Sequence, residues 1–140
     1  MSSLVEKTYT IGNDYSSISN FRQELKSFLA DTSFDNIEVN RIVLSVDEAL
    51  ANIVEHGYPE NREAIIKISI HKNPNQFTAE IIDDCPRFNP LENPIADPNE
   101  FIETGKDGGM GIHNYRKLMN VIYEERKEGG NRLFLSYPKE

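Results

Sequence analysis

The chain has 140 residues, 38% of them hydrophobic and 27% charged, with seven Pro, eight Gly and a single Cys, which sets an expectation of one domain over residues 1–140. Lys plus Arg number 15 against 23 Asp plus Glu, a formal charge of −8, and the nearest basic groupings, Arg116 with Lys117 and Lys106, are too sparse for a duplex footprint. One cysteine excludes an internal disulfide framework, and the polar N-terminus carries no export signal, so a cytoplasmic setting without direct nucleic-acid or membrane contact is expected.

In chain order, residues 7–11 alternate as a first strand, and the turn residues after them lead into a helix. Ile18, Phe21, Leu25, Phe28 and Leu29 recur at helical spacing there, giving it a packing face. A longer helix is predicted from about Asp35 to Glu55, with Val39, Ile42, Val43, Val46, Ala49, Leu50 and Ile53 in one broad stripe. Gly57 ends that pattern and Pro59 enforces the exit. Residues 64–70 and 77–82 then read as two strands joined across a short turn.

Between Asp83 and Gly111 the composition changes, with prolines at 86, 90, 94 and 98 and glycines at 105, 108, 109 and 111. Connections of more than about 12–15 residues in a compact domain are usually lids or binding loops when ordered, which directs attention to this stretch. A short helix over 111–119, a strand over 121–127, a GGN turn and a strand over 132–137 complete the chain. The fold class expected is α+β, with a mixed, mostly antiparallel sheet carrying its helices on one face.

Three segments hold residues suited to chemistry. Glu48 and Asn52 lie four apart on the long helix, on one face and roughly opposite the apolar stripe. A carboxylate there can order or deprotonate a hydroxyl, and an amide oxygen can ligate Mg²⁺; the same spacing also describes an ordinary solvated helix face. His56 continues that diagonal, but no second histidine or cysteine accompanies it as a zinc site would require.

Asp83 and Asp84 end a strand, where one acid can accept a hydrogen bond from an exocyclic amine or both can serve as turn formers. The run TGKDGGMGI, residues 104–112, offers backbone N–H groups before a helix, and Lys106 adds a positive charge, an arrangement suited to a phosphate chain. It is neither a Walker A loop nor a dinucleotide-binding fingerprint. Met110 reads as an apolar anchor, and a Cys85 hydrolase would need a nearby base that histidines at 56, 71 and 113 do not supply from sequence.

Taken together and in this order, the segments resemble the ATP-binding domain of histidine kinases, DNA gyrase, Hsp90 and MutL, and most closely the anti-sigma factor serine/threonine kinases. Glu48 through Asn52, extending to Tyr58, resembles the N box of that family. By that likeness Glu48 is the catalytic base or water-ordering carboxylate, and Asn52 binds Mg²⁺. Residues 81–92 resemble the adenine-binding segment, which implies Asp83 against the adenine amino group. Residues 108–112 are similar to the second glycine box, so Gly108, Gly109, Met110 and Gly111, with Lys106, are implied as the phosphate cradle.

Cys85 stands within the nucleotide segment where the family commonly has Gly, and a side chain there can crowd the base or shift the strand end; Asn89 replaces a common aspartate before Pro90. The resemblance implies a two-layer α/β sandwich of the histidine-kinase-like ATPase type. It also implies ATP and Mg²⁺ as ligands, phosphorylation of a small anti-anti-sigma partner of the STAS type, sequestration of a sigma factor, and a possible homodimer. Two other readings stay open: a non-catalytic ATP-binding interaction module, and an ATP hydrolase without a protein acceptor.

Overall fold

The computed structural model describes residues 5–57, 65–73, 76–86, 89, 91 and 118–138. They form β1 (Val5–Gly12), α1 (Tyr15–Leu29), α2 (Asn36–Asn52), a π-helical turn (Ile53–Gly57), β2 (Ile65–Asn73), β3 (Gln76–Asp83), β4 (Asn120–Glu125) and β5 (Asn131–Pro138). Each predicted strand and each of the two long helices is present. The second strand pair runs closer to its turn than expected, since Asn73 pairs with Gln76. The expected helix over 111–119 lies outside the described residues except for Leu118 and Met119.

Both helices begin at side-chain caps. Asp14 accepts from the Ser17 N–H at 2.7 Å, and Asp35 and Glu38 form a reciprocal capping box with bonds of 2.8 and 3.1 Å. Such a cap is worth about 1 kcal/mol, whereas each fully buried Leu or Ile contributes about 1.5–3 kcal/mol, so packing governs where the helices lie. Every one of Ile18, Phe21, Leu25, Phe28 and Leu29 is buried on α1, and Ile42, Val43, Val46, Ala49 and Leu50 are buried on α2. The two helices are also tied by Arg22, whose guanidinium forks onto Asp47 through bonds of 3.0 Å and 3.0 Å. Lys72 of β2 donates to the Phe28 carbonyl and to Asp31, holding the end of α1 to the sheet.

The sheet order is β1-β2-β3-β5-β4, and every pairing is antiparallel. The mixed pairing allowed by the sequence is therefore absent among the described strands. Burial alternates strictly along the centre of the sheet: Phe77, Ala79, Ile81 and Asp83 face inward on β3, as do Asn131, Leu133, Leu135 and Tyr137 on β5. These inward residues share one core with the apolar stripes of α1 and α2, which places both helices on one face of the sheet. The fold is thus α+β with an antiparallel sheet. No helix among the described residues is long and apolar enough to cross a membrane.

Because β5 pairs with β3 while β4 takes the edge, the segment after Asp83 leaves one end of the sheet and re-enters at the other, at Asn120 opposite Ser136. The β4–β5 turn then returns the chain to Asp83. Gly129 and Gly130 both have positive φ, +100° and +103°, conformations that favour glycine. A Cβ on Gly130 would lie 2.1 Å from the Asp83 carbonyl oxygen and 2.7 Å from the Asp84 Cα, so the close approach of turn and strand end requires a bare Cα. Nothing lies within 4 Å of the corresponding position on Gly129.

The two glycines therefore separate strain from collision. Gly129→Ala should lose about 1 kcal/mol from its left-handed backbone alone, and Gly130→Ala roughly 3 kcal/mol or more from strain plus displaced backbone. Urea unfolding of the two variants checks this, and equal losses would contradict the close contact.

Candidate functional site

Asp83 occupies the last inward position of β3, where the two-residue period that buries Ile81 carries it into the core at 4% exposure. An ionised carboxylate there is costly unless donors surround it. Its Oδ1 accepts from the Cys85 N–H at 3.1 Å, from the Cys85 thiol at 2.6 Å and from Asn131 Nδ2 at 2.9 Å. Among the described residues no donor reaches Oδ2. The backbone carbonyl of Asp83 accepts from the Arg126 guanidinium at 3.1 Å, which fixes the strand end from outside.

Asn131 is 4% exposed and directly opposite Asp83 in the β3–β5 register. Its amide nitrogen also reaches the Cys85 sulfur at 3.1 Å, while its oxygen accepts from the Tyr123 hydroxyl. The sequence reading missed Asn131, Tyr123 and Arg126. A signal for Asn131 was present, because it is two residues before Leu133 and so a polar side chain in the inward phase of an otherwise apolar strand.

Cys85 is 1% exposed and belongs to the same core as Leu50, Ile53 and Ile81. Burial pushes its thiol well above the usual range, and the hydrogen bond and charge of Asp83 add to that shift, with Asn131 opposing. A thiol held protonated beside a carboxylate is no activated nucleophile. Of the histidines weighed for a hydrolase, His71 sits 3.8 Å from Glu6 at the β1–β2 pairing.

Glu48 and Asn52 both lie on α2, as expected, but not both opposite the apolar stripe. Glu48 is half-buried, whereas Asn52 is 2% exposed. At 100° per residue Asn52 stands only about 60° from Ala49, the edge of the stripe, so its amide is at the flank of the core. There the helix also changes character, because Asn52 is its last α-helical residue before the π turn, a feature often found at functional sites. Nδ2 of Asn52 is buried and has no hydrogen-bond partner among the described residues. An unsatisfied buried donor costs about 1–3 kcal/mol, an expense that a bound acceptor would remove.

The π turn carries Glu55, whose Oε1 accepts from the Tyr15 hydroxyl at 2.5 Å. That bond pushes the half-exposed phenol up to about 12, with burial and the charges of Glu55 and Glu48 adding to it. Tyr15, Glu48 and Glu55 thus share one neighbourhood at the start of α1 and the end of α2. Asn89 accepts from the Leu91 N–H at 2.9 Å, an amide doing the turn-forming work of an aspartate. Lys106, Gly108, Gly109, Met110 and Gly111 lie outside the described residues.

Two polar atoms on buried residues have no partner among the described residues, the Asn52 Nδ2 donor and the Asp83 Oδ2 acceptor, and suit a polar ligand. Among the described residues no group of three or more His, Cys, Asp or Glu could hold a metal ion. In the Asn52 side chain the amide oxygen is the atom able to ligate a cation such as Mg²⁺, and Nδ2 can only donate.

Comparison with known proteins gives a consistent family. The histidine kinase-like ATPase domain matches residues 11–137. The chain is 28% identical over 98 residues to the serine/threonine-protein kinase BtrW of Bordetella bronchiseptica, covering 68% of this chain and 67% of that one. It is 27% identical over 119 residues to an anti-sigma F factor of Clostridium botulinum, covering 80% and 79%. Among solved structures, the RsbU and RsbW domains of a Mycobacterium tuberculosis protein align with a TM-score of 0.63 at 17% identity, over 95% of this chain and 32% of that one, a likeness of fold.

Two measurements follow from the geometry alone. Asp83→Ala strands the Cys85 N–H and its thiol without their acceptor and removes the shortest of the bonds donated by the Asn131 amide nitrogen, and urea unfolding should show a loss of about 2–4 kcal/mol; a loss under 1 kcal/mol would contradict the network. The raised phenol of Tyr15 stabilises the fold while it is protonated, fully below pH 10 and progressively less as pH rises towards 12. The urea midpoints of wild type and Tyr15→Phe should therefore converge between pH 10 and 12, and a constant gap would reject the Glu55 bond.

Proposed function

The chain belongs to the histidine kinase-like ATPase domain family, and from that premise we propose that it is an ATP-dependent serine/threonine protein kinase and anti-sigma regulator. It would phosphorylate a small anti-anti-sigma protein of the STAS type and bind a sigma factor. The kinase and anti-sigma roles named for its relatives support this reading. The observation that carries it is the buried Asp83 carboxylate, with Oδ1 saturated by three donors and Oδ2 without one among the described residues. A buried acceptor-only group of this kind is suited to an exocyclic amino group, as in adenine, and repels a carbonyl oxygen, as in guanine.

The amide oxygen of Asn52 is assigned to Mg²⁺, and its unpartnered Nδ2, a donor, fits a nucleotide phosphate oxygen. Mg²⁺ bound with the nucleotide supplies neutralisation of phosphate charge. Glu48, four residues earlier on the same helix, orders the acceptor hydroxyl and receives its proton as the new O–P bond forms and the bond to ADP breaks. Lys106 and the backbone of Gly108, Gly109, Met110 and Gly111 are assigned to the phosphates, where fixed N–H groups and one positive charge would offset the transferring phosphoryl group. Alignment and charge placement account for most of such a reaction, so a small domain with few catalytic side chains suffices.

Calorimetric titration with ATP and GTP, with and without Mg²⁺, tests the binding half of the proposal. ATP should bind, Mg²⁺ should strengthen it, and GTP should fail; absence of binding at millimolar ATP would overturn the reading in favour of a non-catalytic interaction module. In a transfer assay with a STAS-type partner, Glu48→Gln should keep ATP affinity and lose about 10²–10⁴-fold in rate. Undiminished transfer by that variant would remove Glu48 from the mechanism.

A further inference from the structure

A side chain at position 85 could press on a bound base, but the structure turns this one inward. Cys85 has 1% of its surface exposed, and its sulfur lies between two groups of the Asp83 network. It donates to Asp83 Oδ1 at 2.6 Å and takes a bond from Asn131 Nδ2 at 3.1 Å. The same Nδ2 reaches Oδ1 directly at 2.9 Å, and the Cys85 N–H reaches it at 3.1 Å. Asn131 is itself anchored through its oxygen by the Tyr123 hydroxyl.

A carboxylate turns about a broad, roughly two-fold torsion, and without unequal partners its two oxygens exchange roles readily. Here every donor among the described residues falls on Oδ1. The thiol is the only one of the three that comes from a side chain on the same loop, and it is sealed from solvent.

We propose that Cys85 is a positioning residue for base recognition: its thiol, bridging Asn131 and Asp83, pins Oδ1 so that Oδ2 is the acceptor presented to the exocyclic amine of an adenine-type base. This rests on the nucleotide-binding reading above. It assigns Cys85 no direct contact with the base. Its action is on discrimination, the difference in affinity between a base that carries the amine and one that lacks it.

The test compares ATP with purine riboside triphosphate, which lacks only that amine, in wild type, Cys85→Ala and Cys85→Ser, each first shown to fold by circular dichroism. Wild type should prefer ATP. Cys85→Ala should lose about five- to ten-fold in ATP affinity with little change for the analogue, because one charge-assisted donor is gone. Cys85→Ser, which keeps a hydroxyl donor, should retain the preference. Equal weakening of both ligands in Cys85→Ala would indicate a purely structural role, and tighter binding of both would indicate crowding; either overturns the proposal.

A measurement on wild type is independent of any variant. With one cysteine in the chain, its infrared S–H stretching band is unique, and it should shift on addition of ATP but not of purine riboside triphosphate. A band unmoved by bound ATP overturns the inference alone. Failure of wild type to bind either nucleotide overturns the function proposed above and this inference with it.

Discussion

The buried carboxylate of Asp83 constrains the rest of the structure. A carboxyl group at 4% exposure needs hydrogen-bond donors in a core, and three converge on Oδ1. Two of those donors come from the next loop residue but one, and the third comes from 48 residues further along. That third donor is delivered by topology. Only if β5 returns to pair with β3, leaving β4 at the edge, does Asn131 fall opposite Asp83. The turn that brings it must then pass against the strand end, which explains a positive-φ glycine at 130 with no room for a Cβ. Strand order, register, turn geometry and one carboxylate are thus a single arrangement, and loss of any part exposes the cost of the others.

The other end of the candidate site is governed by a different conflict. Asn52 lies on the flank of a helix whose remaining inward residues are mostly apolar, and its buried Nδ2 has no acceptor among the described residues. Helix α2 could have continued in α geometry, yet a π turn begins at the next residue, and Glu55 within it reaches across to Tyr15 at the start of α1. The first helix therefore serves two purposes. Its apolar face fills the core, and its N-terminal phenol ties down the segment that follows Asn52.

Much of this framework was legible in the sequence because it depends on local period. The stripes of Ile18 to Leu29 and Ile42 to Ile53, and the alternation in residues 77–82 and 132–137, are set by residues a few positions apart. What periodicity could not supply is pairing over distance: nothing local says that residue 131 faces residue 83 or that Arg126 caps the strand end. Asn52 was misplaced for a related reason. An angular pattern locates a residue on its own helix, but its burial depends on neighbours from elsewhere in the fold. The roles proposed for Glu48, Asn52 and Asp83 come from a resemblance of three segments in combination. The family match supports that resemblance at the level of the domain, while Lys106 and residues 108–111 lie outside the described residues.

Cysteine at position 85 is a physically consistent choice for such a site. Glycine there would leave Oδ1 with two donors and a gap beside Asn131. Valine would fill the gap without donating, and serine would donate more strongly but carry a larger desolvation cost into the hydrophobic core to which position 85 belongs. A thiol packs as a small hydrophobe and still has one weak donor and one weak acceptor. Both are used, the donor towards Asp83 and the acceptor towards Asn131. The burial that keeps the sulfur protonated is also what keeps that donor in place, since a thiolate beside the carboxylate would repel it. The departure from glycine thus strengthens the buried network by one bond and makes the orientation of Asp83 depend on a residue that never faces solvent.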